Sequence, residues 1–137
     1  MKTYINKNYT ENSVYKKSAV HGVHLSTGVK ESKIQSDCFT YHWNHYPAQR
    51  GQLFMVYNTP KNAAHGSILK AMGMVAGVSD MIYLPKPKHI VFLECKRPGE
   101  TQSPVQVKFE KLVKSLGFDY EIFRSLDEFK TILSRYK

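Results

Sequence analysis

Cysteine is scarce in this chain of 137 residues: Cys38 and Cys95 are the only two. Two cannot build a disulfide framework, and each lies in an apolar stretch where small buried thiols are common, so a reducing cytoplasm is the expected setting. Long hydrophobic runs are missing as well. Nothing approaches the roughly 20 apolar residues that span a bilayer. The polar opening from Met1 to Asn12 also lacks a signal-peptide core, so a soluble chain that stays where it is made is expected. Internal repeats and low-complexity tracts are absent, and with them any sign of a second folded domain. Acidic residues are few: 11 Asp and Glu stand against 20 Lys and Arg, a formal net charge of +9. Such an excess gathers polyanions, nucleic acid or an anionic membrane. No basic amphipathic stretch has the wide apolar face a membrane surface requires, which favours nucleic acid.

What is present is enough for one core. A hydrophobic fraction of 42% with 12% aromatics argues for collapse rather than disorder, and the length suits one domain. Residues 1–28, polar and broken by Gly22 and Gly28, read as an N-terminal arm; residues 29–137 read as the domain. From about Glu31 to Tyr46 the positions Ile34, Cys38, Phe39 and Tyr41 recur at helical spacing, and Pro47 ends the pattern. Gln52 to Tyr57 reads as a strand closed by Asn58, Thr59 and Pro60, and a brief helix is expected around Ala64 to Met72. Asp80 to Leu84 and Ile90 to Lys96 form a hairpin whose loop is marked by Pro85 and Pro87. Ser103 with Pro104 starts a helix whose stripe is Val105, Phe109, Leu112, Val113 and Leu116, stopped by Gly117. Tyr120 to Phe123 is a closing strand, and Ser125 with Glu128 predicts a capping box for a last helix carrying Phe129, Ile132, Leu133 and Tyr136. The order implies an α/β fold with a mixed central sheet flanked by helices.

The hairpin carries the chemistry. With Leu84 opposite Ile90, Ile82 faces Phe92 and Asp80 faces Glu94; alternation then puts Lys96 on the face of Glu94 and turns Cys95 away. Opposed carboxylates repel and need a reason. A divalent cation is one: Mg²⁺ or Mn²⁺ takes oxygen ligands and one or two carboxylates, here Asp80 and Glu94 with help from the Cys95 backbone carbonyl. Beside such an ion Lys96 is placed to orient or help deprotonate a water and to neutralise charge developing on a phosphate, which points to phosphodiester hydrolysis. The same spacing also suits a plain Glu94–Lys96 pair at a sheet end, with Asp80 capping a turn after Gly77.

The run Gly77-Val78-Ser79-Asp80, then Glu94-Cys95-Lys96, then Ser103 and Gln106, resembles the VRR-NUC family of the PD-(D/E)xK nuclease superfamily. Upstream, Glu31 and Gln35 match that family's helical Glu and Gln pair, so the similarity runs from about Glu31 to Leu133. It implies a restriction-endonuclease-like αβββαβ core, a metal-dependent DNA endonuclease activity, Asp80, Glu94 and Glu31 at the metal, Lys96 as the catalytic lysine, and Gln106 beside the site. The family usually has proline where this chain has Ser79, a change of rigidity rather than of chemistry. Single-domain members encoded by phages resemble junction resolvases that act as homodimers. By that analogy a branched DNA such as a Holliday junction is the expected substrate, a homodimer the expected assembly, and a phage or bacterial cytoplasm the expected home. A flap or single-strand-directed nuclease, or a DNA-binding module without turnover, are the rivals.

Some residues keep two readings. Gln106 also suits a capping box with Ser103, and Glu31 suits the first turn of any helix. Cys38, His42 and His45, with His21 and His24 upstream, have zinc-like spacing, but the helical pattern explains them more simply. Lys70, ahead of Gly73 and Gly77, is a candidate contact to DNA phosphates, as are Gln35 and Lys108. Lys108, with Lys111 and Lys114, also suits a solvated helix face.

Overall fold

The structure, a computed structural model, describes residues 28–136. The arm assigned to residues 1–28, save Gly28, lies outside the described residues, as do His21 and His24. The chain forms α1 (Glu31–His45), a 3₁₀ turn (Pro47–Gln49), β1 (Leu53–Met55), α2 (Ala63–Ala71), β2 (Met81–Tyr83), β3 (Val91–Cys95), α3 (Pro104–Ser115), β4 (Asp119–Phe123) and α4 (Leu126–Arg135). The strands stand in the order β1-β2-β3-β4. β2 runs antiparallel to β1 and to β3, and β4 lies parallel to β3. A parallel pair needs a crossover, and α3 supplies it. The fold is α/β with a mixed sheet; the expected αβββαβ order is present, with α2 inserted between the first two strands and α4 appended.

The hairpin register is the one the proline loop implies, with Ile82 opposite Phe92 and Met81 opposite Leu93. Alternation then sorts the sheet into two faces. Leu53, Met81, Tyr83, Val91, Leu93 and Cys95 pack with Ile34 and Cys38 of α1 and Phe129, Ile132 and Leu133 of α4 in one core. On the other face Phe92 meets Phe109 of α3 edge to face at 5.7 Å, and Phe109 meets Tyr120 of β4 at 6.4 Å. Among the described residues no helix is long and apolar enough to cross a membrane.

Three local expectations are corrected. The fully buried face of α1 is Ile34, Cys38 and His42, the last an unexpected imidazole, with Phe39 and Tyr41 partly buried against the same core. His42 Nε2 lies 3.3 Å from Gln49 Oε1, which also accepts from the Tyr83 hydroxyl at 3.0 Å. Burial pushes this imidazole below its ordinary value, and His45 is exposed, its Nδ1 against the Tyr41 carbonyl at 2.9 Å. Zinc spacing along α1 therefore gathers no ligand set. On α3 only Val113 is buried, while Val105, Leu112 and Leu116 are exposed, because the sheet covers a narrower arc than the apolar stripe. At α4 the Ser125 hydroxyl accepts from the Glu128 amide, but Glu128 Oε2 accepts from the Arg124 amide rather than closing back on Ser125.

Gly77 controls the approach to Asp80. Its φ is +80°, and a Cβ there would stand 2.5 Å from the Val105 carbonyl oxygen and 2.8 Å from the Gln106 amide nitrogen. The loop is thus pressed onto the first turn of α3, an approach open only to glycine. Gly77→Ala is expected to cost at least about 2 kcal/mol, seen as a lower urea midpoint with unchanged slope. A loss below about 0.5 kcal/mol would mean the loop is not held against α3.

Candidate active site

Asp80 stands one residue before β2, where the β2–β3 register, continued by one step, sets it across from Glu94. Its backbone carbonyl accepts from the Val56 amide at 2.8 Å, and its Oδ2 accepts from the Cys95 amide at 2.9 Å. The side chain therefore reaches across to β3 rather than capping a turn after Gly77, and Oδ1 has no hydrogen-bond partner among the described residues. Ser79, where the family resemblance leads one to expect proline, is fully buried, and its hydroxyl donates to the Met81 carbonyl at 3.2 Å. That bond restrains the same stretch by other means.

Glu94, on β3, has no solvent exposure. Three donors meet it: Lys96 Nζ at 2.7 Å, the Tyr120 hydroxyl at 3.1 Å and the Gln106 side-chain amide. Gln106 satisfies both of its earlier readings at once. Its Oε1 accepts from the Ser103 amide at 2.8 Å, closing the capping box of α3, while its Nε2 faces Glu94. Cap and carboxylate use opposite ends of one amide, so α3 cannot rotate without losing both.

Lys96 also lies 3.6 Å from Glu31 at the start of α1, tying that helix to the end of β3. Cys95 contributes its backbone, through the amide that meets Asp80; its thiol is buried, 3.5 Å from the Glu31 carbonyl, and pushed well up by burial. Tyr120 was missed by sequence reasoning, because only the parallel β3–β4 pairing brings it near Glu94. Glu100 was missed too. It pairs with Arg97, which holds its carboxyl well below the usual range.

The charges respond to one another. Burial raises Glu94 above its ordinary value despite Lys96 and Tyr120. Glu31 is raised by burial and by Glu100, against the pull of Lys96. Burial alone would lower the Lys96 ammonium, but Glu94, Glu31 and Asp80 outweigh it and hold the lysine above its ordinary value. Lys96 is therefore a firmly charged cation among acids, suited to balancing negative charge rather than to accepting a proton.

A cleft of about 320 Å³ opens over this region, lined by Glu31, Ser32, Gln35, Asp80 and the segment Met55 to Thr59. Asp80, Glu31 and Gln35 thus share one opening. Glu94, Lys96 and Gln106 do not line it. Lys70, in the last turn of α2, and Lys108, on α3, are exposed and make no hydrogen bond or ion pair among the described residues. Among the described residues no group of three or more His, Cys, Asp or Glu side chains is disposed to hold a metal ion. Asp80 and Glu94 with a peptide carbonyl make a smaller set, and hard oxygens of that kind suit a divalent ion that keeps several waters.

The fold matches that of a solved structure described as a VRR_NUC domain protein, with a TM-score of 0.67 at 15% sequence identity, covering 80% of this chain and 89% of that one. No protein-family model and no curated protein matches the sequence. The chain therefore has a VRR-NUC-type fold, the architecture expected from its motifs.

Because Glu94 has no solvent exposure and the Lys96 side chain only 9%, removing one partner strands a buried charge. Lys96→Met is expected to destabilise the fold by about 3–5 kcal/mol at neutral pH, whereas the double variant Glu94→Gln, Lys96→Met recovers most of that loss. Equal losses in single and double variants, measured by urea unfolding, would show that the two groups are not coupled.

Proposed function

We propose that this chain is a VRR-NUC nuclease that uses Mg²⁺ or Mn²⁺ to hydrolyse DNA phosphodiesters, acting as an endonuclease on branched DNA such as a four-way junction. The observation that supports it most is a buried glutamate, held by a lysine two residues on and by a helix-capping glutamine, next to an aspartate that opens on a cleft. Buried, mutually perturbed charges of this kind concentrate at functional sites. The basic surplus of the chain suits a polyanionic substrate, and the likeness in fold to a VRR_NUC domain protein raises the prior by analogy.

In this reading Asp80, Glu94 and the Cys95 carbonyl hold the ion, with Glu31 and its Lys96 contact at the margin. The ion, when bound, polarises the scissile phosphate and acidifies a water. Lys96 keeps its charge beside the reacting phosphate and offsets the negative charge that builds there. Gln106 and Tyr120 orient the Glu94 carboxylate, and an ion would have to displace part of that hydrogen bonding to reach it. Gln35, at the mouth of the cleft, and the exposed Lys70 and Lys108 contact the DNA backbone. A symmetric dimer would present two such sites to the two strands of a junction that must be cut.

The experiment is a cleavage assay on four-way, flap, single-stranded and linear duplex DNA, with Mg²⁺, with Mn²⁺ and with chelator. Metal-dependent cutting is expected, strongest on branched DNA. Asp80→Ala is expected to abolish it while DNA affinity stays equal or rises, since a repelling carboxylate is gone. Cutting by Asp80→Ala at the parent rate would refute the metal assignment. Binding without cutting by the parent would leave a DNA-binding module.

A further inference from the structure

A second, larger hollow adjoins the cleft. It encloses about 580 Å³ between α1 and the edge strand β1, and its walls are almost wholly apolar, from Phe39, Trp43, Leu53, Phe54 and Met55. Ser32, Gln35 and Met55 line both the hollow and the cleft that holds Asp80. The two are therefore consecutive stretches of one trough along α1. Three large side chains in it stay open to solvent: Trp43 at 39%, Phe54 at 41% and Met55 at 61%. Exposed apolar surface in a concave site of this size marks a binding surface rather than a core.

The rim carries polar and cationic groups. The Arg50 guanidinium lies 5.2 Å above the Trp43 ring, and its Nε donates to the Trp43 carbonyl at 3.0 Å. The arginine is thus fixed at the edge. Gln35, at the junction of the two hollows, presents an amide able to pair with a base edge. An aromatic floor, a fixed cation and a bridging amide make up the surface on which unpaired bases stack.

We propose that this groove is a stacking subsite for an unpaired nucleobase of a strand whose backbone passes along the adjoining cleft. The assignment rests on the nuclease reading only for the identity of the polymer in the cleft. A nucleotide chain laid along the cleft runs its neighbouring base along α1 into the groove. A base inside a duplex has both faces covered and cannot enter; one freed at a branch, a gap or a single strand can. The groove therefore favours DNA with unstacked bases beside the cut, by apolar contact rather than by sequence.

Trp43 is the only tryptophan of the chain, so its emission reports on the groove. The intact protein, in chelator to prevent turnover, is titrated with single-stranded oligothymidylate and with blunt duplex of equal length, while labelled-DNA anisotropy gives affinity. Saturable quenching by the single strand and little by bound duplex is expected. Phe54→Ala should weaken single-strand binding roughly five- to a hundredfold and leave duplex binding within about twofold; Met55→Ala serves the same purpose if Phe54→Ala does not fold. Unchanged emission at saturating single strand, or equal quenching by both DNAs, overturns the proposal, whether residues preceding Gly28 or a second copy fills the groove. Cutting without quenching sinks the subsite alone; quenching without metal-dependent cutting sinks the nuclease reading alone.

Discussion

One carboxylate that water cannot reach organises this end of the sheet. An ionised Glu94 in that position would cost several kcal/mol if left alone. Lys96 one residue beyond β3, Gln106 from α3 and Tyr120 from β4 all donate to it. Each donor imposes a condition on the chain. Lys96 must share a face with Glu94, which β alternation provides. Gln106 must sit in the first turn of α3, which the Ser103 cap and Pro104 enforce. Tyr120 must arrive on a strand parallel to β3, which the crossover makes possible. Proteins seldom bury such a group for stability, since apolar packing of equal volume does as well or better. Stability alone therefore does not account for the arrangement.

Asp80 and Glu94 divide the work. Asp80 opens on the cleft and is bound by one amide, while Glu94 is enclosed and held from three sides. Gly77 ties the two together, because the loop that delivers Asp80 rests on the same turn of α3 that carries Gln106. A displacement of that turn moves both acids. The trough along α1 then leads from Asp80 and Glu31 past Gln35 to an apolar floor.

What sequence reveals here follows the range of the interaction. The β2–β3 hairpin was legible because two prolines mark its turn and alternation does the rest, which brought Asp80, Glu94 and Lys96 to one end. The α3 cap was legible for the same local reason, although no pattern says that Gln106 would serve both the cap and Glu94. Tyr120 was hidden because its role depends on a parallel pairing reached through a whole helix. His42 was misjudged because periodicity names the residues on a face without revealing that Gln49 and Tyr83 await an imidazole there. The α3 stripe was read too wide, since a helix pattern does not tell how much of it a four-stranded sheet will cover.

The central claim is that Asp80 and Glu94 share a divalent ion. Crystals grown with Mn²⁺ and measured at the manganese absorption edge test it most directly. The account predicts an anomalous peak between the Asp80 and Glu94 carboxylates and the Cys95 carbonyl, absent from Asp80→Ala crystals. Full-occupancy manganese bound only elsewhere, with Glu94 still closed on Lys96, Gln106 and Tyr120, would contradict it.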